Sequence, residues 1–188
     1  MHALIPMDKV MEAAKDIKVA HNDLGGNFLL VRKIRLTSPA LHWLAFYCDN
    51  KIIGTTSALL NMNFEDTRIG KVLVLYFNSI ATILQLIAFM AETEGAWVTL
   101  HGNQVWSHVH VPNVESLNEH IVKKALDLFN TIDKVTPKSL LQRIKSHDDI
   151  QVSIDKVALE MIGLNHWKEK LDELYDAVAA ELESMRRI

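Results

Sequence analysis

The chain of 188 residues contains a single cysteine, Cys48. An intramolecular disulfide and a multi-cysteine zinc site are both excluded, and Cys48 is most simply a small buried hydrophobe. The seven glycines form no GxG and no phosphate loop. Nucleotide-binding enzymes use such loops to bring backbone up to phosphate. HExxH, CxxC and GxSxG are missing, and the four prolines are never adjacent, so an Asn/Asp-Pro-Pro-Tyr motif for amino-group methylation is absent. Asp16-Ile17-Lys18 echoes a nuclease D-x-K but falls on a predicted helix, where chance explains it. Catalysis by this chain alone is not expected. The first residues carry acids and no long apolar stretch, so no secretion signal is read there and a cytoplasmic location is expected.

No strong charge of one sign is present either. Net charge is −3 with histidines neutral, which argues against gripping nucleic acid by bulk electrostatics. Residues 1–112 hold nine Lys/Arg against nine Asp/Glu, and residues 113–188 hold eleven against fourteen. An anionic partner should therefore meet the first part. A hydrophobic content of 49% fits a globular fold and excludes disorder.

The longest apolar run, Val72 to Ala91, has twenty residues without a charge, enough to span a bilayer. Asn78-Ser79 divides it, and both are preferred helix N-caps. The run thus reads as a strand over Val72–Phe77, a helix from Ile80 to about Met90, a stop at Gly95 and a second strand over Ala96–Leu100. Asn78 and Gln85 would otherwise sit in lipid, so no membrane partner is expected.

Before this unit, Asp8 to about His21 reads as a helix and Asn27–Leu36 as a strand. Late in that strand Val31, Ile34 and Leu36 alternate with Arg32, Lys33 and Arg35. Trp43–Tyr47 and Ile52–Leu60 are further strand candidates around an Asp49-Asn50 turn, and residues 61–70 form the longest polar loop. After it, Val105–Val111 reads as a strand that would put His108 and His110 on one face. Two histidines without a third ligand at diagnostic spacing favour a half-exposed strand over a metal site. Helices follow from Asn113 to about Phe129, from Pro137 to about Lys145, over Ile150–Ile162 with Gly163 as its stop, and from Asn165 to Met185. The last carries Trp167, Leu171, Leu174, Val178, Leu182 and Met185 at spacings of 4, 3, 4, 4 and 3, close to a coiled-coil seam. The expected fold is α+β: a mixed sheet with a buried central helix over residues 1–132, then an all-helical tail over 133–188.

Several segments, in order, resemble a known family. Leu29 to Pro39 is a basic strand leading into a turn. Leu75-Tyr76-Phe77-Asn78-Ser79 ends in Asn-Ser before a helix. Glu92-Thr93-Glu94-Gly95-Ala96-Trp97 is an E-T-x-G-x-W element, and Val109-His110-Val111-Pro112 closes the pattern. Ile154-Asp155 leads to Gly163-Leu164 in the tail. From about Gly25 onward the chain resembles the C-terminal target-recognition domain of restriction–modification N6-adenine DNA methyltransferases and, more distantly, the recognition domains of type I restriction specificity subunits. The family's catalytic domain has no counterpart here.

The resemblance implies a non-catalytic DNA-sequence-recognition domain or subunit. Its partners would be double-stranded DNA and a methyltransferase catalytic domain or subunit. S-adenosylmethionine would be bound by that partner, and no cofactor by this chain. A base-modifying enzyme must flip its target from the duplex and also read sequence, and a separate reader needs Asn, Thr, Arg and Lys on loops over a rigid sheet. The candidate DNA-binding residues are Arg32, Lys33, Arg35, Asn50, Lys51, Thr55, Asn61, Asn63, Arg68 and Lys71. The candidate partner-binding residues are Trp167, Leu171, Leu174 and Val178, on a helix that could also support a homo-oligomer. The alternative function is a helical protein-interaction module without a DNA role.

Overall fold

A computed structural model describes residues 25–52, 59–89, 92–93, 97–100 and 105–185. The helix expected over Asp8–His21, the candidate Thr55 and the Gly95 stop lie outside the described residues.

Strand β1 (Gly26–Val31) is the centre of an antiparallel sheet, flanked by β3 (Ala45–Ile52) and β4 (Leu59–Met62). All six β1 residues are buried. The expected strand over Asn27–Leu36 breaks at Arg32, and its second half, β2 (Lys33–Ile34), joins β6 (Trp97–Thr99) and β5 (Glu92–Thr93) in another antiparallel sheet. The alternation read in the sequence holds across the break: Val31, Ile34 and Leu36 are buried, while Lys33 and Arg35 are exposed. The expected mixed sheet is thus two small antiparallel ones, because the break at Arg32 sends the two halves of one expected strand to different partners.

Helix α1 (Thr67–Phe77) is the largest departure from the sequence reading, which placed a strand at Val72–Phe77. A short apolar run cannot be assigned by period alone when every side chain is buried, and Val72 to Phe77 are all buried. The deciding signal lies upstream. The Asp66 carboxylate accepts from the Arg68 N–H at 2.9 Å, an N-cap that starts the helix. The polar loop shrinks accordingly, since Asn61 and Met62 belong to β4. Helix α2 (Ile80–Phe89) follows after a 67° bend at Asn78-Ser79. Among the described residues no single helix is long and apolar enough to cross a membrane.

Gly70 lets α1 approach β3. A Cβ at this position would lie 2.7 Å from the Tyr47 ring. Gly70→Ala is expected to destabilise the fold by about 1–3 kcal/mol through this overpacking, read as a lower urea midpoint at unchanged m-value. A change below the fitting error would show that the ring moves aside freely.

The strand expected at Val105–Val111 is instead a 3-10 turn (Trp106–His108) running into extended chain. Its cause is Trp106, whose indole N–H reaches back to the Val31 carbonyl at 3.1 Å and anchors the segment on β1. Helix α3 (Glu119–Ile132) starts at Asn118, whose side chain accepts from the His120 N–H. Helix α4 (Leu140–Lys145) begins after Ser139, later than the start expected at Pro137. Helix α5 (Asp149–Met161) ends as expected at Gly163, which has φ +74°. The last expected helix divides into a 3-10 segment (Asn165–Lys170) and α6 (Leu171–Met185).

The tail packs into the same buried cluster as the sheets. Leu41, Leu75, Ile144, Ile154, Tyr175 and Val178 belong to one continuous core. The Leu140 N–H donates to the Leu41 carbonyl at 2.7 Å, and Arg143 Nη1 donates to the His42 carbonyl at 2.7 Å. The change from mixed to all-helical chain falls near Ile132, but one core runs through both parts.

Candidate functional site

Most of the candidate DNA-binding residues sort to the two ends of β1, about 17 Å apart at a strand's rise per residue. At the Gly26 end, β3 is irregular: Gly26 pairs with Ile52 but Phe28 with Tyr47, so residues 48–51 bulge out opposite Asn27 alone. This bulge replaces the expected Asp49-Asn50 turn and exposes Asn50 and Lys51. Asn27 then fixes the chain leaving β4, donating to the Phe64 carbonyl at 2.7 Å and accepting from the Phe64 N–H at 2.9 Å. Asn63 and, one turn into α1, Arg68 and Lys71 are thereby brought to the same end. Lys71 Nζ lies 3.7 Å from the Asp49 carboxylate and over the rings of Tyr47 and Phe129. Arg68 grips Asp66 through Nε at 3.2 Å and Nη2 at 2.9 Å. The Arg68 hydrogen bonds hold the Asp66 carboxyl below the usual carboxylate range.

Arg32, Lys33 and Arg35 are at the other end of β1. Lys33 and Arg35 border an open hollow with Ser38 and Ala40, and the Arg32 carbonyl accepts from Leu100. Asn61 sits mid-strand opposite Leu29 and is half-buried.

The four candidate partner-binding residues separate by burial. Leu171 and Val178 are in the core, because the seam of α6 packs within the chain. Trp167 and Leu174 are half-buried and line a cleft of about 540 Å³ between α2, α5, α6 and the segment at His110–Val111. Leu84, Val111 and Leu164, three of the exposed large hydrophobic residues, face the same cleft. Its polar side is closed on itself. The Tyr76 hydroxyl donates to the His110 carbonyl at 2.9 Å, and the His110 N–H donates to Gln85 Oε1 at 2.7 Å. Burial is the main cause that pushes the Tyr76 phenol up. His108 and His110 are exposed, and among the described residues no group of His, Cys, Asp and Glu could hold a metal ion.

Sequence reasoning missed the polar system beneath this cleft. Asn78 does not cap α2 with its side chain. Its Oδ1 accepts from the Leu44 N–H at 2.6 Å, and its Nδ2 donates to the carbonyls of Ala45 at 2.9 Å and Val74 at 2.8 Å. The first amide of α2, at Ile80, donates instead to Asp155 Oδ1 at 2.6 Å, from a helix 75 residues away. Asp155 also accepts from the Tyr175 hydroxyl at 2.7 Å and from Gln151 at 3.2 Å. Gln151 Oε1 in turn accepts from Arg143 Nε at 3.0 Å. Arg143 is fully buried, with its guanidinium carbon 4.2 Å from the Trp43 ring centroid. Desolvation lowers Arg143 to about 10 and raises Asp155 to about 6. Asn78, Asp155 and Gln151 join sheet, apolar helix and tail, which is a structural task. The polar ends of β1 and the apolar cleft are not part of this network. Comparison with known protein families, with curated proteins and with solved structures gives no match.

Proposed function

We propose that the chain is a non-catalytic DNA-recognition domain or subunit that positions an N6-adenine DNA methyltransferase catalytic partner on its site. The observation that carries this reading is the convergence of Asn50, Lys51, Asn63, Arg68 and Lys71 on one end of β1, held there by the Asn27–Phe64 hydrogen bonds and the β3 bulge. Asn suits adenine edges, while Arg and Lys suit guanine and phosphate. The target-recognition fold belongs to the same proposal and is supported by the α+β architecture and by the Asn-Ser break between α1 and α2. Methyl transfer and S-adenosylmethionine are assigned to the partner.

Arg68 and Lys71 already have carboxylate neighbours, so a phosphate must displace Asp66 and Asp49 from them. DNA binding by the chain alone is therefore weak and depends on tethering to the partner to become effective. Each phosphate contact contributes roughly −0.9 to the slope of log affinity against log salt. Lys51→Ala/Arg68→Ala is expected to lower that slope by nearly two in fluorescence anisotropy with a duplex. An unchanged slope and affinity would remove this face from the proposal.

The cleft favours a companion reading. Contiguous exposed apolar residues mark interaction sites, and Tyr76 places the cleft at the far end of α1 from Arg68, about 12 Å along the helix. A protein partner in the cleft leaves the polar end free. If no duplex binds at low salt, the cleft alone stands, and the chain is a protein-interaction module.

A further inference from the structure

A second recess, of about 110 Å³, opens between β3 and the C-terminal end of α3. Four aromatic side chains bound it: Trp43, Phe46, Tyr47 and Phe129. Asp133 and Val135, both exposed, stand at its mouth. We propose that this recess binds a small organic ammonium group, as carried by a lysine side chain or a free alkylamine.

Three independent features select a cation. Asp133 is the C-cap of α3, where the helix presents its negative end, and the last turn of α3 holds no basic residue to offset it. The Asp133 carboxylate makes no hydrogen bond or ion pair with any described residue. Finally, the rings already serve as cation faces elsewhere. Lys71 Nζ lies 5.5 Å from the centroids of both Tyr47 and Phe129, and Arg143 stacks on Trp43. Neither cation lines the recess.

Those two cations have carboxylates of their own nearby: Asp49 faces Lys71, and Asp148 and Asp155 act on Arg143. Asp133 is left to pair with a ligand. Arg143 is fully buried against the indole, while Trp43 itself lines the recess. The volume excludes a drug-sized ligand, which takes roughly 300–1,000 Å³, and suits one headgroup. An ammonium there meets both a carboxylate and aromatic faces, the pairing that stabilises bound alkylammonium ions. An anion is repelled by the carboxylate, and a neutral hydroxyl gains one uncharged hydrogen bond there but no ion pair and no cation–π attraction.

The probes are n-butylammonium, a blocked lysine amide and n-butanol as the neutral isostere, titrated at constant ionic strength into the full chain while the Trp43 indole N–H is followed by NMR. The expected result is saturable binding of both ammonium probes, binding of n-butanol weaker by roughly tenfold or more, and roughly tenfold weaker binding of the ammonium probes in Asp133→Asn, the loss of about 1.4 kcal/mol. Val135→Lys supplies a tethered ammonium at the mouth and is expected to block the probes. Tighter binding of the lysine amide assigns the source to a partner protein, and tighter binding of butylammonium to a free amine. Equal response to n-butanol, no saturable response, or undiminished binding in Asp133→Asn would overturn the proposal. This site shares no tested residue with the DNA face, so either proposal can fail alone.

Discussion

Asn78→Ala is expected to lower stability by about 3–5 kcal/mol, a large fraction of the 5–15 kcal/mol typical of a whole domain. Asn78 is 1% exposed, and its side chain satisfies the Leu44 N–H and the carbonyls of Ala45 and Val74. Alanine leaves these groups buried without partners, at about 1–3 kcal/mol for each group left unmade. The strand entry at Leu44–Ala45 loses its tie to the α1–α2 corner at the same time. Asn78→Asp separates hydrogen bonding from volume. It keeps the acceptor for Leu44 but turns an oxygen toward the Ala45 and Val74 carbonyls, so its loss at neutral pH should match or exceed that of alanine. Urea unfolding followed by tryptophan fluorescence measures both. A loss under about 1 kcal/mol for Asn78→Ala would mean that water replaces the side chain.

Asp155 governs the second large effect, through pH. Its carboxyl is fully buried and raised from 3.8 to about 6, chiefly by desolvation, against the lowering hydrogen bonds from Tyr175, Ile80 and Gln151. The same neighbourhood, after desolvation, raises the Tyr175 phenol, so Tyr175 stays a donor throughout the working range. With the folded value above the unfolded one, folding takes up a proton between about pH 4 and pH 6. The contribution of this group to stability is fully present below pH 4 and is lost as pH rises through 6. Two pKa units correspond to at most about 3 kcal/mol. Asp155→Asn removes the titration, so the difference in stability between wild type and variant should change by that order across the window and level off above pH 7. Taking the difference is necessary because Glu160, lowered by the hydrogen bonds of Lys124 and Lys168, acts in the opposite sense at low pH. A difference that stays constant from pH 4 to pH 7 would show that the carboxyl keeps an ordinary value.

Asp155 and Asn78 also show where sequence reading succeeds and where it stops. The Asn78-Ser79 break was legible because polar residues interrupt an apolar run, and the structure bends there by 67°. Which neighbour Asn78 serves was not legible. The local rule pointed to α2, whereas the side chain reaches Leu44 and Ala45, more than thirty residues away. By sequence, Val72–Phe77 reads as a strand, since β-branched and aromatic residues favour one. Burial on all sides overrides that preference, and the Asp66 cap gives the helix its start. The seam on α6 was visible as a period of apolar residues, but a period cannot say whether its partner is another chain or this one. Leu171 and Val178 meet their own core.

Residue order alone determined the absence of a phosphate loop and of disulfides, the Asn-Ser corner, the Gly163 stop and the basic alternation of Arg32, Lys33 and Arg35. These follow from composition and from contacts within a few residues. Tertiary structure alone decided that Asp155 caps an apolar helix across 75 residues, and that a bulge in β3 exposes Asn50 and Lys51 beside Asn63. It also decided that Trp43 and Asp133 border one recess. Each of these is a meeting of distant segments, set by how sheets and helices share a core, and local propensity carries no information about such meetings.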